Sequence, residues 1–308
     1  MHLIVPFASA LAEHGQPVAA GLPMPQLDDL LSRLSETARD SADETTLNPP
    51  HERALARALG WPQRADGLLP WAAQAAAQDG IDVGALAWGL LTPMHWRVGS
   101  NGVSAADPAS LALDEAGSRA LFERLAPLFR GEGFEMRYGA PLRWYASHEL
   151  LRTLPTASPD RVVGRDVNAW LPAPRSAPLL HRLQNEVQML LHDDPTNEAR
   201  EARGLLPVNS FWLSGCGVAL PAASAGVAVD DSLRSAALAG DGAAWQQAWA
   251  ALDAGPMARL LEQAQRGEPV RIHLCGERAV VSFQAQPRSL WQRLRGQRVS
   301  AQAVLETL

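Results

Sequence analysis

Residues 178–217 read PLLHRLQNEVQMLLHDDPTNEAREARGLLPVNSFWLSGCG, and they carry most of the information about the fold. In the first part of this stretch, Leu180, Leu183 and Val187 recur at the spacing of one helix face. This spacing predicts an amphipathic helix over 178–192. Because such a helix must bury its apolar face, the stretch is expected to lie in the core of the protein.

The second part of the stretch predicts another helix and then a strand. Asp194 and Pro195 are typical of a helix start, and Gly204 is typical of a helix end. The apolar run 207–213 predicts a central strand, and the small residues 214–217 predict a turn at its end. In open α/β sheets, ligands bind at the carboxyl ends of strands. We therefore expect this turn to belong to a site.

Outward from this stretch, strand and helix patterns alternate without an internal repeat. The predicted strands cover 2–7, 85–91, 134–138, 141–145, 270–274 and 279–283. The predicted helices cover 27–34, 51–59, 68–78, 114–129, 230–252, 289–294 and 301–308, and Gly240 and Gly242 are expected to divide the helix over 230–252. Two further segments are expected to be irregular: a surface loop over 36–50 and a short run over 92–96.

The alternation of strands and helices indicates one compact α/β protein. No low-complexity linker divides the chain, so we expect a single domain over 1–308. Its sub-parts would be an N-terminal α/β part (1–91), a motif-bearing part (92–221) and a helical C-terminal part with a β-hairpin (222–308).

The composition excludes several classes of function. The chain has 308 residues, 47% of them hydrophobic, which is enough to bury a large core and excludes disorder as the main state. Its net charge of −6 argues against broad binding to nucleic acids or acidic membranes. All 27 basic residues are arginine, so reactions that require a lysine, such as Schiff-base chemistry, are excluded.

The cysteines and the apolar runs predict a cytoplasmic protein. The two cysteines lack the spacing of a disulfide framework or a zinc site, which fits a reducing compartment. The apolar run at 2–7 is too short for a signal peptide, and no stretch approaches the roughly 18 apolar residues of a membrane span. We therefore expect no membrane partner.

A stripe of uncharged hydrogen-bonding side chains runs beside the apolar face of the predicted helix 178–192. It contains Gln184, Asn185, Gln188 and His192, with His181 next to them. A solvated helix face normally carries Glu and Arg instead. The stripe is therefore predicted to meet either an internal hydrogen-bond network or a ligand.

The predicted turn offers a second group of candidates, namely Ser214, Gly215 and Gly217. Glycines allow backbone N–H groups to approach a ligand, but they also serve in tight turns that need positive φ. Cys216 has no histidine in a defined relation to it, so we expect an inert, packed thiol.

Two more features are candidates outside the central stretch. His95 follows a predicted strand end, where it is either a ligand-binding or a structural loop histidine. The C-terminal region is rich in arginine and is either a partner surface or a solvated helix face. Its members are Arg278, Arg288, Arg293, Arg295 and Arg298, with Trp291 among them.

These residues resemble a known family. The strings 183–195 and 207–215, together with 164–168 and 92–96, are similar to the RpfE-type regulatory protein family of proteobacteria. The resemblance covers nearly the whole chain. Members are often labelled phosphoglycerate mutase, and the resemblance implies an α/β fold similar to the alkaline-phosphatase superfamily that contains the archaeal-type cofactor-independent mutases.

The resemblance to those mutases also implies site residues. The counterparts of the mutase pattern here are Asn197, Arg200, Gly204, Pro207, Asn209, Gly215 and Gly217. The metal-binding motifs of the superfamily are absent from the sequence. The first strand runs into Pro6-Phe7 without an aspartate–glycine pair, and no histidine has an aspartate four residues before it. We therefore expect no metal cofactor, and the missing motifs favour a protein without catalytic activity.

The first hypothesis is a non-catalytic regulatory protein that binds a small anionic ligand or a protein partner. Arg165 and Arg200 would pair with phosphate or carboxylate. The remaining site would come from Asp166, Asn168, the stripe on the helix, and the segment Asn209–Gly217.

Two alternatives remain open. The second hypothesis is a metal-dependent phosphoglycerate mutase or phosphatase, which would need manganese or zinc held by scattered groups. Those groups would be His95, Asp166, His192 and Asp193. The third hypothesis is an interaction scaffold that uses the arginine-rich C-terminal region.

Overall fold

The computed structural model describes residues 1–10, 21–100, 102–175, 177–221, 226–285 and 299–308. The chain divides into two compact units. Unit 1 comprises Met1–Thr45, Pro49–Pro62 and Ala222–Leu308, and unit 2 comprises Thr46–Asn48 and Gln63–Pro221. Each unit combines a β-sheet with helices, so the protein is mixed α/β. That the chain is a single domain over 1–308 stays a prediction.

The elements are numbered here in chain order. The strands are β1 (His2–Val5), β2 (Ser35–Ser41), β3 (Ala87–Met94), β4 (Trp96–Gly99), β5 (Gly102–Ala105), β6 (Glu135–Ala140), β7 (Arg143–Ser147), β8 (Ser210–Val218), β9 (Val227–Val229), β10 (Arg271–Cys275) and β11 (Ala279–Gln284). The α-helices are α1 (Pro25–Arg33), α2 (Pro50–Ala58), α3 (Trp71–Gln78), α4 (Glu115–Gly131), α5 (Pro159–Val162), α6 (Pro178–His192), α7 (Pro195–Glu201), α8 (Arg234–Leu238), α9 (Gly242–Leu252), α10 (Ala258–Gln265) and α11 (Ala301–Leu305). Short 3₁₀ helices lie at Pro108–Leu111, Glu149–Arg152 and Val167–Ala169, and a π-helical turn lies at Asp253–Met257.

Unit 1 is built on a five-stranded sheet with the order β2-β11-β10-β1-β9. β1 is parallel to both β9 and β10, whereas β11 is antiparallel to both β10 and β2. One face of this sheet packs against α1, α9, α10 and α11 around the buried Trp245 and Trp249. The opposite face, which carries Ile4 and Cys275, is covered by α2 through Ala54.

The expected surface loop over 36–50 is wrong in its first part. Residues Ser35–Ser41 form β2, an edge strand that pairs with β11. Its side chains are mostly exposed on both faces, so the strand lacks the alternation of apolar and polar residues that marks a half-buried strand. Backbone pairing holds it in place, and charged side chains such as Arg39 are typical of an exposed sheet edge.

Unit 2 is built on a four-stranded antiparallel sheet with the order β6-β7-β3-β8. On one face, α4 and α6 bury apolar side chains such as Phe129 and Val187. On the other face, the alanines of α3 pack on Trp88 and Tyr145. The two-stranded hairpin β4–β5 lies over a smaller apolar cluster that contains Trp212 and Val167.

The expectation of an irregular run over 92–96 is also wrong. β3 continues through Met94, and its residues up to Met94 pair with β8. Pro93 is tolerated because β7 pairs with β3 only from Trp88 to Leu91. The side of Pro93 that lacks an N–H therefore faces no partner strand, as is usual for proline in a sheet.

The strand at 207–213 is neither central nor followed by a turn. β8 lies at the edge of its sheet, and residues 214–217 belong to the strand itself. A register shift against β3 forms a bulge there, in which Gly215 has φ +62° and Gly217 has φ +144°. Both glycines therefore adopt the positive φ of the structural alternative, in which they shape the backbone and do not approach a ligand. A Cβ at Gly215 would lie 2.8 Å from the backbone nitrogen of Ala72, so glycine also lets α3 pack closely.

The remaining predicted elements agree with the structure, with shifts at their ends. The hairpin predicted from 270–274 and 279–283 is β10–β11, and the hairpin from 134–145 is β6–β7. The helix predicted over 289–294 lies outside the described residues. None of the helices in the described ranges has both the length and the apolar character needed to cross a bilayer.

Candidate functional site

The candidate site is a cavity of about 540 Å³ in unit 2, next to α6. Its lining combines polar and apolar side chains. The polar lining consists of Asn168, His181, Gln184, Asn185, Gln188, His192 and Asn209. The apolar lining consists of Trp96, Val98, Val103, Val167, Leu171 and Pro174. Among the described residues that line the cavity, none is Asp, Glu or Arg.

Helix α6 positions the polar side by its periodicity. Its apolar face, with Leu183 and Val187 fully buried, packs into the core of unit 2. Gln184 and Gln188 follow these residues by one position each, so they lie along the margin of the buried face. The stripe predicted from the sequence therefore becomes one wall of the cavity.

The hairpin β4–β5 contributes apolar groups to the lining. Val98 and Val103 are directly paired across the hairpin, and Trp96 lies at its start. The hairpin is anchored to the next segment because the backbone N–H of Gly164 donates to the carbonyl of Ala105 at 2.8 Å. Trp96, Val98 and Val103 line the same cavity as the polar groups of α6.

The side chain of Gln184 is the most informative group in the cavity wall. It is only 3% exposed, and its Nε2 has no hydrogen-bond partner in the described part of the chain. The indole N–H of Trp96, which lines the same cavity, likewise has none. An unpaired buried donor costs about 1–3 kcal/mol, so two of them in one cavity indicate that an acceptor belongs there.

Neighbouring polar groups hold Trp96 in place. The Oδ1 of Asn209 accepts from the backbone N–H of Trp96 at 2.7 Å, and its Nδ2 donates to the Trp96 carbonyl at 2.8 Å. The amide of Asn209 thus pairs with the first residue of β4 as a neighbouring strand would. Nearby, Nδ1 of His95 donates to the carbonyl of Pro207 at 2.9 Å. His95 is not among the residues that line the cavity.

The two histidines of α6 differ in their surroundings. Nε2 of His181 donates to the carbonyl of Pro172 at 2.7 Å, which fixes its imidazole ring against the cavity wall. His192 lies at the end of the helix, and its side chain is 82% exposed beside Asp193. A second depression of about 480 Å³ is lined by Asn185, Gln188 and His192 and adds the exposed Met189.

Asn197 is a structural residue of the α6–α7 and β8 connection. Its Nδ2 donates to the carbonyls of Leu191 at 2.9 Å and Val208 at 2.7 Å. Its Oδ1 accepts from the N–H of Val208 at 2.8 Å. These bonds occupy the buried amide, and Asn197 does not line the cavity.

Arg200 is likewise committed to the backbone. Its Nε donates to the carbonyl of Leu206 at 3.0 Å, and its Nη2 donates to the carbonyl of Leu111. Burial lowers the pKa of the guanidinium from its ordinary value. Arg200 is not among the residues that line the cavity, and its role as an anion-binding group stays a prediction.

The loop 164–168 reaches the cavity only in part. Asn168 lines the cavity, and its Nδ2 donates to Oδ1 of Asp166 at 3.0 Å. The same Asp166 oxygen accepts from the backbone N–H of Asn168, which caps the 3₁₀ helix Val167–Ala169. The guanidinium of Arg165 lies 5.8 Å from the ring centre of Trp170. Neither Arg165 nor Asp166 lines the cavity.

The β8 candidates lie elsewhere in unit 2. Ser214, Gly215 and Gly217 are buried within the strand, where the glycines face α3, and none of the three lines the cavity. Cys216 is fully buried, and its burial raises the pKa of the thiol to about 12. A thiol of this kind is not activated for nucleophilic attack.

The ligands required by the metal-dependent hypothesis do not converge. Within the described ranges, no group of three or more His, Cys, Asp or Glu side chains could hold a metal ion. Of the four scattered candidates, His192 and Asp193 are neighbours, 3.9 Å apart, and both are exposed to solvent. The residues present therefore do not fit a two-metal centre, and no catalytic step follows from one.

Most of the arginine-rich C-terminal region lies outside the described residues, including Arg288, Arg293, Arg295, Arg298 and Trp291. The described member, Arg278, is exposed and lies 3.4 Å from Glu44.

Comparison with known proteins agrees only at the level of the fold. No protein-family model matches the chain, and no curated protein matches it. The chain is similar to the cofactor-independent phosphoglycerate mutase from Thermoplasma acidophilum DSM 1728, at 12% identity and a TM-score of 0.35, over 100% of this chain and 99% of that one. It is also similar to the PH0037 protein from Pyrococcus horikoshii, at 12% identity and a TM-score of 0.47, over 99% and 95% of the two chains.

At such low similarity these two neighbours assign no residue and no reaction to this chain. The RpfE-type resemblance stays a prediction.

The apolar wall of the cavity was not anticipated from the sequence. The spacing of Val98 and Val103 around an Asn-Gly pair at 101–102 is a known hairpin signal that could have shown it. His181 was seen beside the stripe, but only the structure places it in the lining. Leu171 and Pro174 carry no comparable signal, because a loop gives no periodicity.

Proposed function

We propose that the protein is a non-catalytic binding protein that holds a small polar ligand in the cavity of unit 2. The observation that carries this proposal is the buried, unpaired amide of Gln184 in the wall of a cavity of about 540 Å³. Ligand sites typically combine apolar walls with a few well-placed polar groups in volumes of roughly 300–1,000 Å³.

The chemistry of the lining favours binding over catalysis. The described residues that line the cavity include no Ser, Cys, Asp or Glu, so they offer neither a nucleophile nor a carboxylate acid–base pair. The imidazole of His181 is engaged with a backbone carbonyl. Amide and imidazole groups can orient a ligand by hydrogen bonds, which is what a binding site requires.

The RpfE-type resemblance supports a regulatory role, in which occupancy of the cavity is sensed by a partner. The anionic ligand expected from the sequence depended on Arg165 and Arg200, which do not line the cavity. An anion would therefore have to be held by amide N–H groups and imidazoles. The free and buried Cys216 and Cys275 support a cytoplasmic setting for this role.

Blocking the cavity tests the proposal. Val103→Trp places a large side chain in the cavity, and Val229→Trp in unit 1 is the control, since both valines lie on short strands. The wild-type protein is screened by native mass spectrometry against a panel of nucleosides, sugars, amino acids and sugar phosphates. We expect at least one compound to bind the wild type and the control but not Val103→Trp. Equal binding to all three would contradict the proposal.

The metal-dependent mutase or phosphatase remains the alternative, and it rests on the family resemblance. A coupled phosphoglycerate mutase assay on metal-stripped protein, with and without manganese, decides it. Manganese-dependent turnover, together with bound metal in the purified protein, would place the enzyme first.

The scaffold hypothesis rests on residues outside the described ranges. It predicts that deletion of 288–308 abolishes complex formation, and a complex that survives the deletion would exclude it.

A further inference from the structure

We infer that the cavity of unit 2 binds a planar, uncharged ring with an amide-type edge, which is the chemistry of a nucleobase. This inference rests on the proposed binding function and names the class of ligand. It follows from the mixed lining of the cavity, from the state of Gln184 and from the charge of the lining.

The apolar and the polar lining residues offer different contacts. Trp96, Val98 and Val103 on the β4–β5 hairpin present an apolar surface that suits the face of a flat ring. The same cavity is lined by the amides of Gln184 and Gln188 from α6. A ring whose face packs on the hairpin residues can offer its polar edge to these amides.

The amide of Gln184 specifies the edge. Its Nε2 has no hydrogen-bond partner in the described part of the chain, and a carboxamide offers two donors at Nε2 and an acceptor at Oε1. An edge that carries both a ring carbonyl and an N–H satisfies both kinds of group, as in the pairing of Gln or Asn with bases. The last torsion of a Gln side chain is soft, so the buried amide can turn to meet that edge.

The charge of the lining favours an uncharged ligand. A buried phosphate or carboxylate is best held by a cation, and the described lining offers no arginine, only amides and imidazoles. The shallow depression lined by Asn185, Gln188 and His192 is the natural place for a polar substituent such as a sugar. The nucleoside, rather than the free phosphate, is then the form that the site recognises.

The experiment is a calorimetric titration with adenosine, guanosine, cytidine and uridine, each compared with its 5′-monophosphate. We expect at least one nucleoside to bind the wild type, with a gain of less than tenfold from the phosphate. Gln184→Met keeps the volume but removes the amide, and we expect it to weaken that nucleoside at least tenfold. The melting temperature of the unliganded variant should be unchanged or higher, because a buried unpaired donor is lost.

Three controls keep the outcomes separate. Gln302→Met in α11 removes an exposed amide that bonds to Glu306 and should not change nucleoside binding. Asn185→Ala and Gln188→Ala change less buried lining groups, and they should weaken binding even if Gln184→Met fails to fold.

Several results would overturn the inference. They are the absence of binding by all four nucleosides, equal binding by Gln184→Met, or a monophosphate that binds ten times more tightly or better. A lower melting temperature of unliganded Gln184→Met would also count against it, since it would show a paired amide. If a sugar or amino acid binds the wild type but not Val103→Trp while nucleosides fail, the ligand class is wrong and the binding function stands.

Discussion

Two buried amide side chains of unit 2, those of Asn197 and Gln184, differ in whether they have hydrogen-bond partners. In α7, the helix that follows α6, Asn197 uses both ends of its amide to bond three backbone groups. In the middle of α6, the amide of Gln184 is equally buried, and its Nε2 has no partner in the described part of the chain. Both side chains end in a carboxamide and are exposed to the same small extent. Their hydrogen bonds alone therefore distinguish the structural amide from the ligand-facing one.

A second pair of residues gives the same contrast. Trp96 and Trp212 are neighbours, with ring centres 6.4 Å apart. The indole N–H of Trp212 donates to the carbonyl of Ala157 at 2.8 Å, whereas that of Trp96 is unpaired among the described residues. The unpaired member of each pair lines the cavity. Two of the buried donors without a partner, Nε2 of Gln184 and the indole N–H of Trp96, thus belong to residues that line the same cavity.

The largest expected effect is at Asn197. Asn197→Leu leaves the backbone groups of Leu191 and Val208 unpaired in a buried site, which we expect to lower the free energy of unfolding by about 3–5 kcal/mol. Urea denaturation monitored by tryptophan fluorescence measures it. Gln184→Met is the matched control with an expected loss near zero. A loss below about 1 kcal/mol for Asn197→Leu would break the comparison.

Arg200 comes next. Arg200→Ala removes the donors to Leu206 and Leu111 and leaves space in a buried region, so we expect a loss of about 2–3 kcal/mol of unfolding free energy. The exposed Arg203 provides the control, since Arg203→Ala should change stability by less than about 0.5 kcal/mol. If Arg200→Ala weakens binding of inorganic phosphate without changing stability, the anion-binding role given to it by the family resemblance would be supported.

A satisfied polar pair in unit 1 extends the comparison to pH. Nε2 of His2 and Nε2 of His273 are 2.7 Å apart, and Nδ1 of His273 is 2.7 Å from Oγ of Ser282. Burial, with help from Arg271, lowers the pKa of His2 to about 4 and that of His273 to about 3. The positive charges of Arg57 and of the N-terminal amine act in the same direction.

Because both pKa values fall below the ordinary value near 6.5, the native state favours the neutral rings. Their contribution to stability is present above pH 6.5 and is lost as the pH falls toward 4. Between pH 7 and 5.5 we expect His273 to cost about 1 kcal/mol, and the half-buried His2 to add less. Urea midpoints of the wild type and of His2→Gln/His273→Gln test this. An unchanged pH dependence in the double variant would refute the assignment.

The smallest expected effect is at Gln188. This side chain lines the cavity and makes no hydrogen bond in the described ranges, so Gln188→Ala should change the free energy of unfolding by less than about 0.5 kcal/mol. Thermal denaturation measures it. A loss of 1 kcal/mol or more would show that the stripe on α6 belongs to a structural network after all.

The sequence predicts the stripe because helical periodicity places its residues on one face whatever the rest of the chain does. It predicts the alternatives for that stripe, network or ligand, but does not separate them. The hydrogen bonds of Asn197 depend on the backbone of Val208. The cavity beside Gln184 is lined in part by the β4–β5 hairpin. Contacts between distant segments of this kind leave no periodic signal.

The errors in β2 and β8 have a related cause. β2 is polar because it lies at an exposed edge, and β8 is apolar although it too lies at an edge, because α3 and α6 cover it. Side-chain pattern reports burial, and burial depends here on helices that pack over the sheet. The position of either strand in its sheet therefore cannot be predicted from its side-chain pattern.

The strand order of unit 1 has a consequence for how the protein is made. β1 precedes both of its partner strands by more than 200 residues, because His2 pairs with Val227 on one side and Arg271 on the other. The whole of 63–221 is synthesised before either partner exists. Unit 2 can therefore complete its sheet during translation, whereas β1 and β2 stay unpaired until their partner strands in 227–284 have been synthesised. These two strands are therefore among the last to complete their pairing, and a chaperone that shields the apolar β1 in the meantime would serve the chain best.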